Sequence, residues 1–327
     1  MSHSRRDAIA RLGALALAGA LPRLSQGQTL ETARIITGFA PGGVSDTVSR
    51  AVAQKLAPGY ARSVVVENRT GAGGQIAVQY VKDQPADGTT ILHTSMSMLG
   101  IFPHTYKKLP YDPREVTPVS MTSLIEFGIA VGPAVPASVH TATDFFAWCK
   151  ANPGKASFGT PANGSAPHMA GVLMGRQAGV DMTHVAFRGS QPAILDMIGG
   201  QLPAVICPVG EFSQHIAAGR CRVIGTGGQQ RSKFAPTVAT LSEQGFKDMV
   251  FTETDGLYVP ARTPREIVLR LNSAIRAAVA HKDVVDRLAV VGLDAQSSTP
   301  EEYAAMLQQY TAEWGVRVKA VGFTAES

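Results

Sequence analysis

Three cysteines, at positions 149, 207 and 221, are too few for a disulfide framework and match no zinc-ligand spacing. Their odd number leaves at least one thiol free. Cys207 ends one expected strand and Cys221 opens the next parallel one, so their sulfurs are expected at opposite ends of a sheet, beyond disulfide reach. No apolar run reaches the roughly 18–20 residues that cross a bilayer. No stretch interleaves lysine and arginine with aromatics, which removes a nucleic-acid surface from consideration. Catalytic signatures are missing too: there is no G-x-S-x-G elbow, H-E-x-x-H pair, P-loop or G-x-G-x-x-G dinucleotide loop. Ser165 and His168 stand three residues apart without a third group, so a hydrolase is not supported and the chain is not expected to be an enzyme. No metal site or cofactor is expected.

What is present begins with an address. Ser4-Arg5-Arg6-Asp7 and Arg11 precede an apolar stretch from Leu12 to Leu21, a charged segment followed by a signal-peptide core. Residues 1–27 are therefore expected to be a signal peptide removed on export. Its paired arginines resemble a twin-arginine signal, or belong to an ordinary secretory one. Cleavage could follow Ala18-Gly19-Ala20 or Ser25-Gln26-Gly27. The formal net charge of +5 includes +3 from residues 1–27, which leaves +2 for the mature chain. The apparent basicity is mostly targeting signal, and the expected location is the periplasm.

Beyond the signal, short β-rich runs alternate with helical patterns. Residues 33–39, 63–67 and 89–93 read as strands, and 44–56 and 75–82 as helices. Residues 119–131 form a long extended stretch able to cross between lobes, after which strand and helix pairs resume. A second crossing near 222–230 would return the chain. The expected fold class is α/β: two α/β lobes joined by a two-strand hinge, with 28–120 and 230–327 in lobe 1 and 121–229 in lobe 2. A cleft between such lobes is a natural ligand site.

Four loops bear on what that cleft would hold. Phe39-Ala40-Pro41-Gly42-Gly43, with Asp46 three residues on, sits where a strand becomes a helix. Its glycines allow close backbone approach, and the free N–H groups of the helix start attract an anion. Asp46 is placed to bond loop amides. The alternative is a tight turn capped by Asp46. Thr160-Pro161-Ala162-Asn163-Gly164-Ser165-Ala166-Pro167-His168 is a second cradle, with Ser165 as the N-cap and Pro167 in the first helical turn. Thr160, Asn163 and Ser165 add polar side chains. His168 is expected to stay neutral, either donating a ring N–H to ligand or capping the loop. Glu67-Asn68-Arg69, leading into Gly71-Ala72-Gly73-Gly74, is expected to brace the first cradle. Arg188, followed by Gly189, offers a bidentate fork to a carboxylate or an inter-loop ion pair.

Together these segments resemble the Bug family, the periplasmic receptors of tripartite tricarboxylate transporters. The resemblance covers nearly the whole mature chain and rests on several motifs in order. They are Phe39–Gly43 with Asp46, Val65–Gly74, Pro85–Gly88, Leu109–Pro113, Phe158–His168, His184–Gly189 and Gly199–Gln201. It implies a Venus-flytrap, type II-like periplasmic-binding fold with the first two cradles facing each other. It also implies a carboxylated ligand held by Ala40, Gly43, Thr160, Ser165, His168, Arg188 and Gly189, with Ser95 a weaker member; Phe39, Pro41, Gly42, Asp46, Asn163 and Cys207 complete the expected ligand-binding set. Membrane permease subunits are the implied partners, docking transiently with a monomer; a sensor presenting the ligand to a signalling ectodomain is the alternative. Many relatives carry an acid where this chain has Cys207-Pro208. That departure implies a ligand without a cationic group.

Overall fold

The computed structural model describes residues 29–324, so the expected signal peptide and its candidate cleavage sites lie outside the described residues. The chain opens with β1 (Leu30–Thr37), α1 (Val44–Leu56), β2 (Ala61–Asn68), α2 (Gln75–Lys82), β3 (Thr90–Ser95) and the short α3 (Phe102–Thr105). It continues through β4 (Val116–Val131), α4 (Ala142–Ala151), β5 (Ser157–Thr160), α5 (Ala166–Ala178), β6 (Thr183–Ala186) and α6 (Ser190–Ile198). Then come β7 (Ala204–Pro208), α7 (Ser213–Ala217), β8 (Arg222–Thr226), β9 (Thr252–Pro260), α8 (Arg265–Val279), α9 (Lys282–Val290), β10 (Leu293–Ala295) and α10 (Pro300–Val321).

Local chemistry explains most boundaries. α1 buries Val44, Val48, Val52 and Leu56 on one stripe and stops before Pro58, which disfavours helical backbone at Ala57. α4 and α10 each begin with a capping box, Thr141 with Asp144 and Thr299 with Glu302. β9 is buried along nearly its whole length because β3 and β4 pair with it on both edges.

The strands run β2-β1-β3-β9-β4-β7-β5-β6, with β8 and β10 also paired to β4. β1, β2 and β3 are mutually parallel, as are β5, β6 and β7. β4 is shared: Val116 to Glu126 pair with β9, and Phe127 to Val131 pair with β7 and β8. The chain passes back beside this switch, where Gly227 N–H donates to Phe127 O at 2.8 Å and Phe251 N–H to Gly227 O at 2.9 Å. Phe127 and Phe251 stack there, with ring centroids 5.8 Å apart. This is a two-lobed α/β architecture of the periplasmic-binding type.

The expected second crossing at 222–230 is instead strand β8 followed by a turn. Residues further along, expected in lobe 1, hold to the second half of the sheet. Gln244 Nε2 donates to Ile224 O at 2.9 Å, and Ala142 N–H donates to Gln244 Oε1 at 2.7 Å. Leu241 and Phe246 are buried, Phe246 against Phe146. Helix α9, strand β10 and the first half of β9 carried no clear sequence signal. All three cysteines are free and buried, and β4 lies between the strands that flank Cys207 and Cys221.

Gly171, on the buried side of α5, rests against the Phe158 ring with no room for a Cβ. Gly171→Ala should therefore destabilise the protein by about 1–3 kcal/mol through overpacking, read as a lower midpoint in urea unfolding. An unchanged midpoint would show that the α5–β5 contact is looser than described.

Candidate functional site

The two glycine-rich loops and the Arg188 turn meet at one cavity of about 120 Å³. Its wall includes Phe39, Ala40, Pro41, Gly43, Ser95, Ser165, Arg188 and Gly189, eight of the residues expected in the site. A larger open groove of about 760 Å³, around Phe146, Lys150, Phe246 and Lys247, contains none of them, and the one helix start it touches, that of α4 at Thr143, is closed by a capping box. The smaller space is well below the roughly 300–1,000 Å³ that drug-sized ligands fill; it suits a small molecule.

Three helices begin at this cavity. The N-cap positions of α1, α5 and α6 are Gly43, Ser165 and Gly189, and none supplies a side-chain cap. Each first turn holds N–H groups that the helix itself cannot satisfy, and its dipole favours negative charge there. Ala166 N–H does find Ser97 Oγ at 3.3 Å. Arg188 is exposed at the mouth and makes no ion pair among the described residues.

The first loop is held from behind. Gly42 has φ +83°, a left-handed backbone that favours glycine. Its N–H donates to Asp46 Oδ2 at 3.0 Å. Arg50 Nε donates to the same oxygen at 2.9 Å, and Asn68 Nδ2 donates to Asp46 Oδ1 at 3.0 Å and to Phe39 O at 2.9 Å. Gly42 and Asp46 therefore shape the loop and do not line the cavity. Asn68 performs the bracing expected of its segment, while Arg69 pairs with Glu67 at 3.2 Å.

The second loop differs from expectation in four side chains. Thr160 is fully buried, its hydroxyl on Ala162 O at 3.0 Å and His184 Nε2 at 2.7 Å. Asn163 offers its carbonyl to Tyr106 OH at 3.0 Å and stays off the cavity wall. Ser165 occupies the N-cap position, but its hydroxyl turns back to Ala162 O at 2.8 Å. His168 accepts from Gly164 N–H through Nδ1 at 2.9 Å and stacks on His184, with ring centroids 3.5 Å apart. It is the loop's internal cap and does not line the cavity. Burial, with His184 beside it, pushes its pKa down to about 2, so it is neutral, with its proton on Nε2. Cys207 also misses the cavity: it is fully buried in an apolar cluster that includes Ala130 and Val205, and Pro208 reaches the wall instead. The inference drawn from its departure therefore loses its ground.

Sequence reasoning missed a carboxyl trio on the wall: Glu211, Glu253 and Asp255. Burial raises the pKa of all three. Glu253 accepts from Ser97 N–H, and Glu211 from Gln191 Nε2 at 2.9 Å. Glu253 and Asp255, two apart on β9, share one face. Their only sequence signal is acids on a strand that must be buried on both edges.

Asp46 carries a prediction. Burial works against its charge, but hydrogen bonds from Arg50, Gly42 and Asn68 outweigh this and lower its pKa from 3.8. It thus stabilises the fold above the ordinary value and loses that contribution as pH falls through its lowered one. Asp46→Ala should cost about 1–3 kcal/mol at pH 7, with the deficit shrinking below about pH 4. Equal urea midpoints at pH 7 would contradict the role given to Asp46.

Residues 48–323 match the model of the tripartite tricarboxylate transporter family receptor. A UPF0065 protein from the tcbD–tcbE intergenic region of Pseudomonas sp. strain P51 is 32% identical over 85% of this chain and 83% of its own. Among solved structures, R. palustris Rpa4515 with adipate superposes with a TM-score of 0.85 at 25% identity, covering 91% of this chain and 99% of that one. MatC from Rhodopseudomonas palustris with bound malate gives 0.81 at 25% identity, over 88% and 99%. The chain belongs to the tripartite tricarboxylate transporter receptor family, whose members are solute-binding proteins and not enzymes.

Proposed function

We propose that this protein captures a small carboxylated organic acid in the periplasm and delivers it to the membrane subunits of a tripartite transporter. The observation that carries the reading is the convergence of three helix starts without side-chain caps on one small cavity, with Arg188 at its mouth. Such a site favours an anion recognised by backbone N–H groups and a guanidinium fork. Adipate and malate in the two similar structures are dicarboxylates, which supports the same class here. Ligand contact is assigned to Ala40, Gly43, Ser95, Ser165, Arg188 and Gly189. Thr160, Asn163 and His168 act through the shape of their loop.

The lobes proposed are 29–126 with 252–324, and 127–251, joined at Phe127 and Phe251. Closure about this pair would bring the α1 loop toward the α5 and α6 loops.

A thermal-shift and calorimetric screen of four- to six-carbon dicarboxylates tests the reading. A true ligand at a hundredfold excess over Kd should add about 2.7 kcal/mol of stability. Arg188→Ala should weaken it about 10- to 100-fold, the worth of a charged hydrogen bond. If no carboxylate shifts the melting temperature while neutral or cationic solutes do, the assignment fails.

A further inference from the structure

Asp255 lies at the base of the same cavity, 1% exposed, and Oδ2 makes no hydrogen bond among the described residues. An ionised carboxylate in that position would need a cation or several donors. Neither is present. His93 Nε2 stands 3.9 Å from Oδ2, but His93 is itself buried, which pushes its pKa down to about 4 and leaves it neutral. The neighbour on the same face of the strand is another carboxyl, Glu253. Thr122 Oγ1 donates to the Asp255 main-chain carbonyl at 3.2 Å, not to its side chain.

We infer that Asp255 meets the ligand as a neutral carboxylic acid and donates a hydrogen bond to one of its carboxylate oxygens. The inference rests on reading the cavity as a carboxylate site. It also explains how an anion can enter a space walled by three carboxyl groups: an O–H donor attracts where a second negative charge would repel. A carboxylic acid bonded to a carboxylate is among the short, strong pairs. It selects against a ligand whose end group is an ammonium, which has no acceptor for the O–H.

The groups facing Asp255 leave this proton in place. Glu253 and Tyr258 come from its own strand, His93 from β3 and Tyr303 from α10, with Glu211 and Arg188 elsewhere on the cavity wall. Tyr258 and Tyr303 bond each other through their hydroxyls at 2.7 Å, and burial keeps both protonated. Burial first, and the nearby Glu253 second, raise the Asp255 pKa to about 8. Binding should therefore be insensitive to pH below about 8. Above it, a bound carboxylate must recruit a proton to Asp255, so affinity falls by up to tenfold per pH unit.

The test is calorimetry of the mature protein with adipate and succinate from pH 6 to 9.5, in buffers of different ionisation enthalpy. Wild type should take up close to one proton per ligand at pH 9 and lose affinity above pH 8. Asp255→Asn, whose amide still donates, should bind with no such fall once circular dichroism confirms its fold. Affinity that is flat or rises with pH in wild type, or a fall that persists in Asp255→Asn, overturns the inference. Preferential binding of aspartate or glutamate, tightening with pH, would assign Asp255 to a ligand cation and overturns it too. If neither dicarboxylate binds, the carboxylate reading itself is in difficulty, and carboxyl 13C NMR of the free wild type still decides the Asp255 state. One aspartate titrating near pH 8 supports the inference, and none above about pH 6 refutes it.

Discussion

The first turn of a helix leaves N–H groups that must meet a side chain, water or a ligand. In this protein the requirement is settled differently at different places. α4 and α10, away from the cavity, are closed by capping boxes from Thr141 and Thr299. α1, α5 and α6, which open onto the cavity, start from Gly43, Ser165 and Gly189 without a side-chain cap. The surrounding residues hold those starts in place and cover only one N–H, that of Ala166, with Ser97 Oγ. Asp46 gathers Gly42, Arg50 and Asn68 behind the first loop, and His168 closes on Gly164 within the second. Rigid loops with open N–H groups amount to positive potential fixed in space, and no lysine is required to supply it.

The sheet determines what stands opposite those helix starts. β4 serves both halves, and β9 lies between β3 and β4, so the side chains of Glu253 and Asp255 at the start of β9 are buried, at 4% and 1% exposure. Burial there works against the charged form of an acid. Glu211, Glu253 and Asp255 all have raised pKa values, with burial the largest cause. A cavity with cradles on one side and a protonated Asp255 on the other offers hydrogen-bond donors from both directions.

The loops were legible because their signals are local. Pro41-Gly42-Gly43 and Asn163-Gly164-Ser165 announce a turn into a helix, and the helices at 44–56 and 75–82 fall where the turn residues place them. Side-chain direction was not legible. Thr160 and His168 belong to the right loop, yet each turns toward the protein, Thr160 to His184 and His168 to Gly164, while Asn163 is tied to Tyr106 through its main-chain carbonyl and stays off the cavity wall. The carboxyl trio escaped notice for the opposite reason. Thr252-Glu253-Thr254-Asp255 is polar enough to pass for loop, and only its pairing with both β3 and β4 makes it interior. Cys207 looked like a cavity position because it ends a strand; Pro208, one residue later, is the one exposed to the cavity.

The central claim is that backbone N–H groups at three helix starts receive the carboxylate. Amide NMR during titration with a bound dicarboxylate reads it most directly. The largest shifts should fall on the amides of Val44 and Ser45 and of Ser190 and Gln191, with downfield movement as each N–H gains an anionic acceptor, and a smaller one on Ala166, whose N–H already meets Ser97 Oγ. Shifts confined to the open groove around Phe146 and Phe246, with those helix starts unmoved, would contradict it.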